Sequence, residues 1–367
     1  MKSTEPPYIR YLFSKAKALG RPLSSTFEIT GCCNFSCKMC YVHNCAVTNE
    51  NDLTTAQWKA IADELKRAGV LFLLITGGEP LLRSDFAEIY EYAKKCGFEV
   101  SVNTNGSLIT DEHIELFKKY PPARVNVSLY GAKEETYFAF TGTEGNCEKV
   151  KNNIIKLKNN GVQTKVNMSV TNFNKNDMEK VHAFTKENDL HLQCACYMFP
   201  AARLNRDNCR PSAKEAAENA VRYDLLRYTE EEMKNRIEAI NSLDLSKFGE
   251  AYRTEDCDPM LCRGGTASCW ITHEGNLTPC GMMPTPSVSL KTTDFEEAWK
   301  YINEESKKIR LPGECKNCPL RSLCEMCAAS CYAETGSYSQ KGEYMCEKAR
   351  EIVRITKGLT FPEKSII

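Results

Sequence analysis

The chain has 367 residues, of which 42% are hydrophobic and 26% charged, enough apolar content to bury one large core and a smaller second module. Lysine plus arginine equals aspartate plus glutamate at 48 each, which excludes a global field drawing the protein to nucleic acid or to an anionic membrane. With no apolar run of about 18 residues and no basic-then-apolar leader, the protein is expected in the cytoplasm, where twenty cysteines point to metal ligation rather than a disulfide scaffold.

In chain order, residues 1–22 form a short polar N-terminal segment interrupted by Pro6 and Pro7. From there to residue 200, short β-branched or apolar runs alternate with stretches of helical period. Strands are predicted at 25–30, 71–76, 99–104, 124–129, 163–170 and 191–197. The first intervening helix has a capping box of Thr54 and Gln57 and ends at Gly69; Gly97 and Gly161 end two others. Six βα units are too few for a closed eight-stranded barrel. The pattern therefore predicts an α/β fold, a partial (β/α)6 TIM-type barrel spanning 23–200 whose strands are parallel by the crossover rule. Residues 201–256 read as a helical bridge with helices at 212–228 and 229–241. Residues 257–346 are rich in Cys, Gly and Pro, as in a module folded around metal, and 347–367 form a short helix and tail.

The chemistry-bearing motifs follow the carboxyl ends of the predicted strands, where parallel barrels gather their active sites. Cys33, Cys37 and Cys40 are spaced CxxxCxxC after the first strand. They offer three thiolates where cubanes and tetrahedral zinc sites usually take four, so a [4Fe–4S] cluster held there has one open iron. Gly77-Gly78-Glu79-Pro80 follows the second strand, with glycines that permit close backbone approach and a proline that fixes the turn. Asn105 follows the third strand, and Ser128 and Tyr130 close the fourth. Cys96 and Cys147 are isolated and read as packed small hydrophobes; Cys32, Cys45, Cys194, Cys196 and Cys209 are read the same way.

The trio, with the Gly-Gly-Glu-Pro segment at the next strand, resembles the radical S-adenosylmethionine (SAM) enzymes, in which the amino and carboxylate groups of SAM chelate the open iron. The resemblance implies that Gly77, Gly78 and Glu79 serve the amino group of SAM. It further implies that Asn105 and Ser128 meet its ribose or carboxylate, and that Met39 packs on adenine where the family often has an aromatic. The cysteines from 257 onward resemble the SPASM module, which holds two auxiliary [4Fe–4S] clusters, making three clusters in all. By that resemblance Cys315, Cys318, Cys324 and Cys346 hold one cluster. Cys262, Cys280 and Cys327 hold the other, with Cys331 as the alternative to Cys327 and Cys257 as the fourth ligand if that cluster is closed. A zinc ribbon is the competing interpretation of Cys315, Cys318, Cys324 and Cys327.

The resemblance implies an oxidoreductase that cleaves SAM to a 5'-deoxyadenosyl radical and oxidatively modifies a peptide or protein, by thioether or other crosslinking or a related maturation. The auxiliary clusters accept the electron. A flavodoxin- or ferredoxin-type donor is implied; about 20 residues before the first strand are too few for a fused leader-binding domain, so a leader would need a separate leader-binding protein or a site on the SPASM module. Gly281 replaces an aspartate of the sulfatase-maturing branch. Tyr130 replaces an aspartate common at the fourth strand and is a candidate substrate-facing catalytic residue, an aromatic lid or a packed tyrosine. The alternatives are a small-molecule dehydrogenase or decarboxylase using the same radical step, and a noncatalytic iron–sulfur or zinc protein.

Overall fold

The computed structural model describes residues 5–41, 51–200, 209–245 and 257–359; Cys45, parts of the expected bridge and the end of the tail lie outside them. The six expected strands form one parallel sheet: β1 (Ser24–Glu28), β2 (Phe72–Thr76), β3 (Glu99–Thr104), β4 (Arg124–Ser128), β5 (Thr164–Ser169) and β6 (His191–Ala195), paired in chain order. Their helix-facing side is filled by Val100, Val102, Val125, Val127, Val166 and Met168, all buried. The alternate residues, including Asn103, Asn126, Ser128 and Asn167, stand on the opposite face. This alternation leaves a polar face for the site.

Helices fill the connections: α1 (Pro7–Leu19) precedes β1, and α2 (Thr55–Ala68), α3 (Phe86–Lys95), α4 (Asp111–Lys119), α5 (Glu134–Thr141), α6 (Cys147–Asn159) and α7 (Met178–Glu187) lie between the strands. The Thr54–Gln57 capping box is present at the start of α2. Gly69, Gly97 and Gly161 take φ of 91°, 96° and 75°, the left-handed conformation that turns each helix back toward the sheet. Phe27 of β1 packs against Trp58 of α2 with centroids 4.7 Å apart and the rings tilted by 38°, so strand and helix share a fully buried contact.

Two helices of the bridge, α8 (Ala213–Arg227) and α9 (Glu230–Asn241), match the expectation. α8 is anchored to β6 by the Tyr223 hydroxyl, which donates to the Leu192 carbonyl at 2.7 Å. The cysteine-rich segment holds more regular structure than its composition predicts: β7 (Ser268–Ile271), β8 (Asn276–Thr278), β9 (Val288–Ser289), α10 (Phe295–Lys308), α11 (Ala328–Thr335) and α12 (Glu343–Lys357). β7 pairs in parallel with β1, and β8 and β9 continue antiparallel to give nine strands in the order β6-β5-β4-β3-β2-β1-β7-β8-β9. The sheet thus runs without a gap from the barrel strands into the cysteine-rich region.

A second core of Met260, Met283, Leu311, Met326, Ala329, Cys331 and Met345 gathers in the cysteine-rich region. α12 packs on α8 through Ile352, Ala217 and Val221. Arg210 stacks on the Tyr344 ring, 3.4 Å from its centroid, and pairs with Glu334 at 2.6 Å. No helix among the described residues is long and apolar enough to cross a membrane.

Candidate active site

The loop from Gly31 to Cys40 is held on three sides, by the loops after β2 and β3 and by α5. The Gly78 amide donates to the Thr30 carbonyl and the Glu79 amide to the Cys32 carbonyl, both at 2.8 Å. A Cβ on Gly78 would lie 2.1 Å from the Cys32 oxygen, and one on Gly77, whose φ is 155°, would lie 2.6 Å from the Thr30 oxygen. The paired glycines are therefore required by the cysteine loop itself, whose backbone already fills the space in which a side chain would sit.

Glu79 is fully buried. Its carboxylate accepts from the Thr104 hydroxyl at 2.7 Å, the Asn105 amide at 2.6 Å and the Leu81 amide at 3.1 Å. Burial pushes its pKa up to about 7, against the lowering effect of these donors. The side chain thus joins the loops after β2 and β3.

Asn105 passes the restraint on. Its side-chain N–H donates to the Asn34 carbonyl oxygen at 2.9 Å, and its own carbonyl accepts from the Ser107 amide and hydroxyl at 2.9 and 2.7 Å. The Asn34 amide group in turn donates to the Ser107 hydroxyl at 2.9 Å. Asn34 sits between the first two cysteines of the trio, so this ring of bonds orients the loop that carries them.

The third side is α5. Ser36 N–H donates to the Thr141 carbonyl at 2.8 Å and Lys38 N–H to the Phe140 carbonyl at 3.1 Å, so the last turn of the helix grips the backbone on either side of Cys37. Burial pushes the Cys33 thiol up to about 12 and the Cys37 thiol well above its ordinary range, and the neighbouring thiols of the trio add to both.

These three thiols act on one another electrostatically, and Cys33 Sγ accepts from the Phe35 amide at 3.4 Å and lies 4.0 Å from the Asn105 side-chain nitrogen. Desolvated thiols with N–H donors turned toward sulfur suit a thiolate-ligated iron–sulfur cluster, so the residues fit that group. Among the described residues no three His, Cys, Asp or Glu side chains converge as ligands of a single ion would. A cubane does not ask for such convergence, because each thiolate binds a different iron.

Of the other expected site residues, Ser128 pairs with the Tyr130 hydroxyl, and Tyr130 packs its ring on Phe140 with centroids 4.7 Å apart. The Tyr130 phenol is raised by burial and then by the trio's thiols, which places it beside the cluster loop. Met39 is half-buried on that loop.

At the other edge of the loop, Glu28 at the end of β1 is fully buried, accepting from the Trp270 ring N–H at 2.9 Å and meeting His273 Nδ1 at 2.8 Å. A Cβ on Gly281 would lie 2.8 Å from the Trp270 ring, so the indole fills the space a side chain there would take. Within the sheet's polar face the Asn126 side-chain N–H donates to Asn103 at 2.8 Å, while the side-chain carbonyl oxygens of Asn126 and Asn167 are buried and have no hydrogen-bond partner among the described residues. Both point from the face on which Ser128 stands and offer acceptors to a polar ligand.

Several of the C-terminal cysteines lie near enough to influence one another, Cys331 beside Cys315, Cys324 and Cys327 among them. Cys315, pushed up to about 12 by burial, is next influenced by Cys346 and Cys324; Cys346 by Cys324 and Cys318 among its neighbours; and Cys324 by Cys318. Cys262 is influenced by Cys327, and Cys280 acts on Tyr338, whose hydroxyl reaches the Thr285 carbonyl at 2.5 Å. Cys327 caps α11, its sulfur facing the Ser330 amide while its own amide donates to the Ser330 hydroxyl at 2.9 Å. Cys331, one turn on, is 1% exposed among the methionines of the second core.

A family model described as the radical SAM superfamily matches residues 27–185, the segment holding the trio, the Gly-Gly-Glu-Pro loop, Asn105 and Tyr130. An AdoMet-dependent heme synthase of Methanosarcina barkeri is 28% identical over 88% of this chain and 96% of its own length. The sporulation killing factor maturation protein SkfB of Bacillus subtilis is 25% identical over 81% of this chain and 68% of its own. The fold is shared with Streptococcus suis SuiB bound to its precursor peptide SuiA, at a TM-score of 0.67 and 17% identity over 94% of this chain and 82% of that one. Residues 27–185 thus form a radical SAM domain, arranged around a cysteine loop that fits an iron–sulfur cluster.

Proposed function

We propose that this enzyme couples SAM cleavage at the barrel trio to oxidation of a peptide or protein, with auxiliary iron–sulfur clusters held by the C-terminal cysteines receiving the electron that the oxidised substrate releases. The observation that carries this reading is the gathering of cysteines beyond the barrel: Cys315 lies near Cys346, Cys324 and Cys331, Cys318 near Cys324 and Cys346, and Cys262 near Cys327. Cys33, Cys37 and Cys40 would hold a [4Fe–4S] cluster, which would supply the electron for reductive cleavage of SAM bound beside it and so the radical that oxidises the substrate.

The residues of the chain set the stage for that step. The Glu79 bridge and the Asn34–Asn105–Ser107 ring fix the trio against the loops after β2 and β3. Gly77, Gly78, Asn105, Ser128 and Met39 border the position that SAM takes beside the trio. The buried oxygens of Asn126 and Asn167 accept N–H or O–H groups of the substrate, and such groups are abundant in a peptide. Tyr130, wedged between Phe140 and the trio, walls the radical from water.

Beyond the barrel, Cys327 stands at the N-terminus of α11 with its sulfur toward the Ser330 amide, which supports it over the core-buried Cys331 as partner of Cys262 and Cys280. With Cys257 that set is closed. The proposed organisation is a barrel over 23–200, a bridge over 201–256 and an auxiliary-cluster domain over 257–346, supplied with electrons by a flavodoxin- or ferredoxin-type protein.

A second reading, oxidative decarboxylation or dehydrogenation of a small molecule, is supported by the heme synthase likeness, which extends over nearly the whole of that relative. Incubating reduced enzyme and SAM with candidate precursor peptides and following their mass separates the two. Net loss of a hydrogen pair from a peptide supports the first reading; turnover confined to free metabolites such as porphyrin carboxylates supports the second and defeats the first.

A further inference from the structure

Tyr137 of α5 is fully buried, and its hydroxyl has no hydrogen-bond partner among the described residues. A phenol so placed is unfavourable until something accepts its proton, and a phenylalanine would fill nearly the same volume without that demand. The residues around it narrow the choice of acceptor. Its ring stands edge-on to Phe35 of the cysteine loop, 6.1 Å between centroids. One turn later, the Thr141 and Phe140 carbonyls hold the amides of Ser36 and Lys38. Tyr137 is therefore packed behind the Cys37 segment by contacts at both ends of that segment.

After burial itself, the strongest influence on the phenol is the Cys37 thiol, followed by Tyr130, Cys147 and Glu134. The last three are engaged: Tyr130 pairs with Ser128, Cys147 donates to the Gly131 carbonyl at 3.6 Å, and the Glu134 carboxylate accepts from the amides of Gly145 and Cys147 at 2.5 and 3.0 Å. The sulfur of Cys37 is left, and it becomes a strong acceptor once it binds iron as a thiolate.

We propose that Tyr137 is a positioning residue for the barrel cluster, donating its O–H to the Cys37 sulfur, or to the cluster sulfide beside it, when the cluster is bound. This rests on the reading that the trio holds a [4Fe–4S] cluster. A hydrogen bond to sulfur stabilises the added negative charge of the reduced state and so raises the reduction potential. Tyr137 thereby eases the electron transfer that begins each turnover.

The test is Tyr137→Phe in the full-length, anaerobically reconstituted protein. The barrel cluster is identified by the SAM-induced change in its reduced-state electron paramagnetic resonance signal, and its midpoint is measured by potentiometric titration. The variant should keep its iron and its SAM-responsive signal, with a midpoint lowered by the equivalent of a roughly threefold to tenfold change in the redox equilibrium, up to about 59 mV for one electron. Thermal unfolding of the iron-free protein should be unchanged or shifted upward, because the unpaired hydroxyl is gone. An unchanged midpoint, loss of the barrel iron, or a less stable iron-free variant would each overturn the role given to Tyr137. Absence of a SAM-responsive signal in the unsubstituted protein would instead overturn the cluster reading beneath it.

Discussion

The Glu79 carboxylate accepts the backbone N–H of Asn105 at 2.6 Å, and this single bond joins the loop that packs on the cysteine segment to the loop that orients it. Because Thr104 and Leu81 donate to the same carboxylate, Glu79→Ala leaves three buried donors without an acceptor. The expected cost is about 1–3 kcal/mol, seen as a lower unfolding midpoint together with reduced iron at the trio. The pKa of Glu79 is raised from 4.5 to about 7, so the folded iron-free protein binds its proton more tightly than the unfolded chain. Its stabilising contribution is full below pH 4.5 and is lost as pH rises through 7. Glu79→Gln should flatten that part of the stability–pH curve; an unchanged slope in denaturant titrations would show that the carboxyl does not titrate there.

Gly78→Ala forces a methyl group onto the Cys32 carbonyl. It should destabilise the protein by about 1–3 kcal/mol and lower the iron bound by the trio. Gly97→Ala is the control: its Cβ would meet nothing within 4 Å, so only the strain of its φ of 96° applies, about 1–2 kcal/mol, with full iron content. Equal iron loss in both would assign the effect to general instability rather than to the cysteine loop.

Cys327→Ala and Cys331→Ala distinguish a ligand from a packed thiol. Three cubanes correspond to about twelve irons per chain; Cys327→Ala should lower the count, whereas Cys331→Ala should keep it and lose only about 1–2 kcal/mol of packing in the second core. Iron loss confined to Cys331→Ala would reverse the assignment.

For His273, burial lowers the pKa, but the bond and charge of Glu28, with Asp52 and Glu274, outweigh it, and the net shift is upward. The pair therefore stabilises the fold fully below the unfolded value near 6.5, and this contribution fades as pH rises through the folded value. The stability difference between the unsubstituted protein and His273→Gln should be largest below pH 6.5 and shrink above it. A difference independent of pH would mean that the histidine stays neutral.

The six barrel strands were legible because valine-rich runs alternate with helical periods, and Gly69, Gly97 and Gly161 mark the returns. The trio was legible from spacing alone. α10 was not recognised, although Phe295, Ala298, Trp299 and Ile302 have helical spacing behind the Asp294 cap, because the surrounding cysteines suggested irregular structure. α1 was likewise missed: Pro7 looked like a breaker, yet it occupies the first turn, where proline is tolerated. α12 begins before Cys346 rather than after it. Asn34 and Ser107 carried no signal, since only folding brings positions 71 and 73 residues apart together. The glycines after β2 were recognised for the right property, but the backbone they accommodate is that of Cys32 rather than a ligand alone.

The most direct measurement is the formation of 5'-deoxyadenosine by the anaerobically reconstituted protein with dithionite and SAM. The account predicts turnover in the unsubstituted protein and none after replacement of Cys33, Cys37 and Cys40 by alanine, with about eight irons retained in the auxiliary sites. Iron bound at the trio without SAM cleavage, or cleavage that survives the triple replacement, would contradict it.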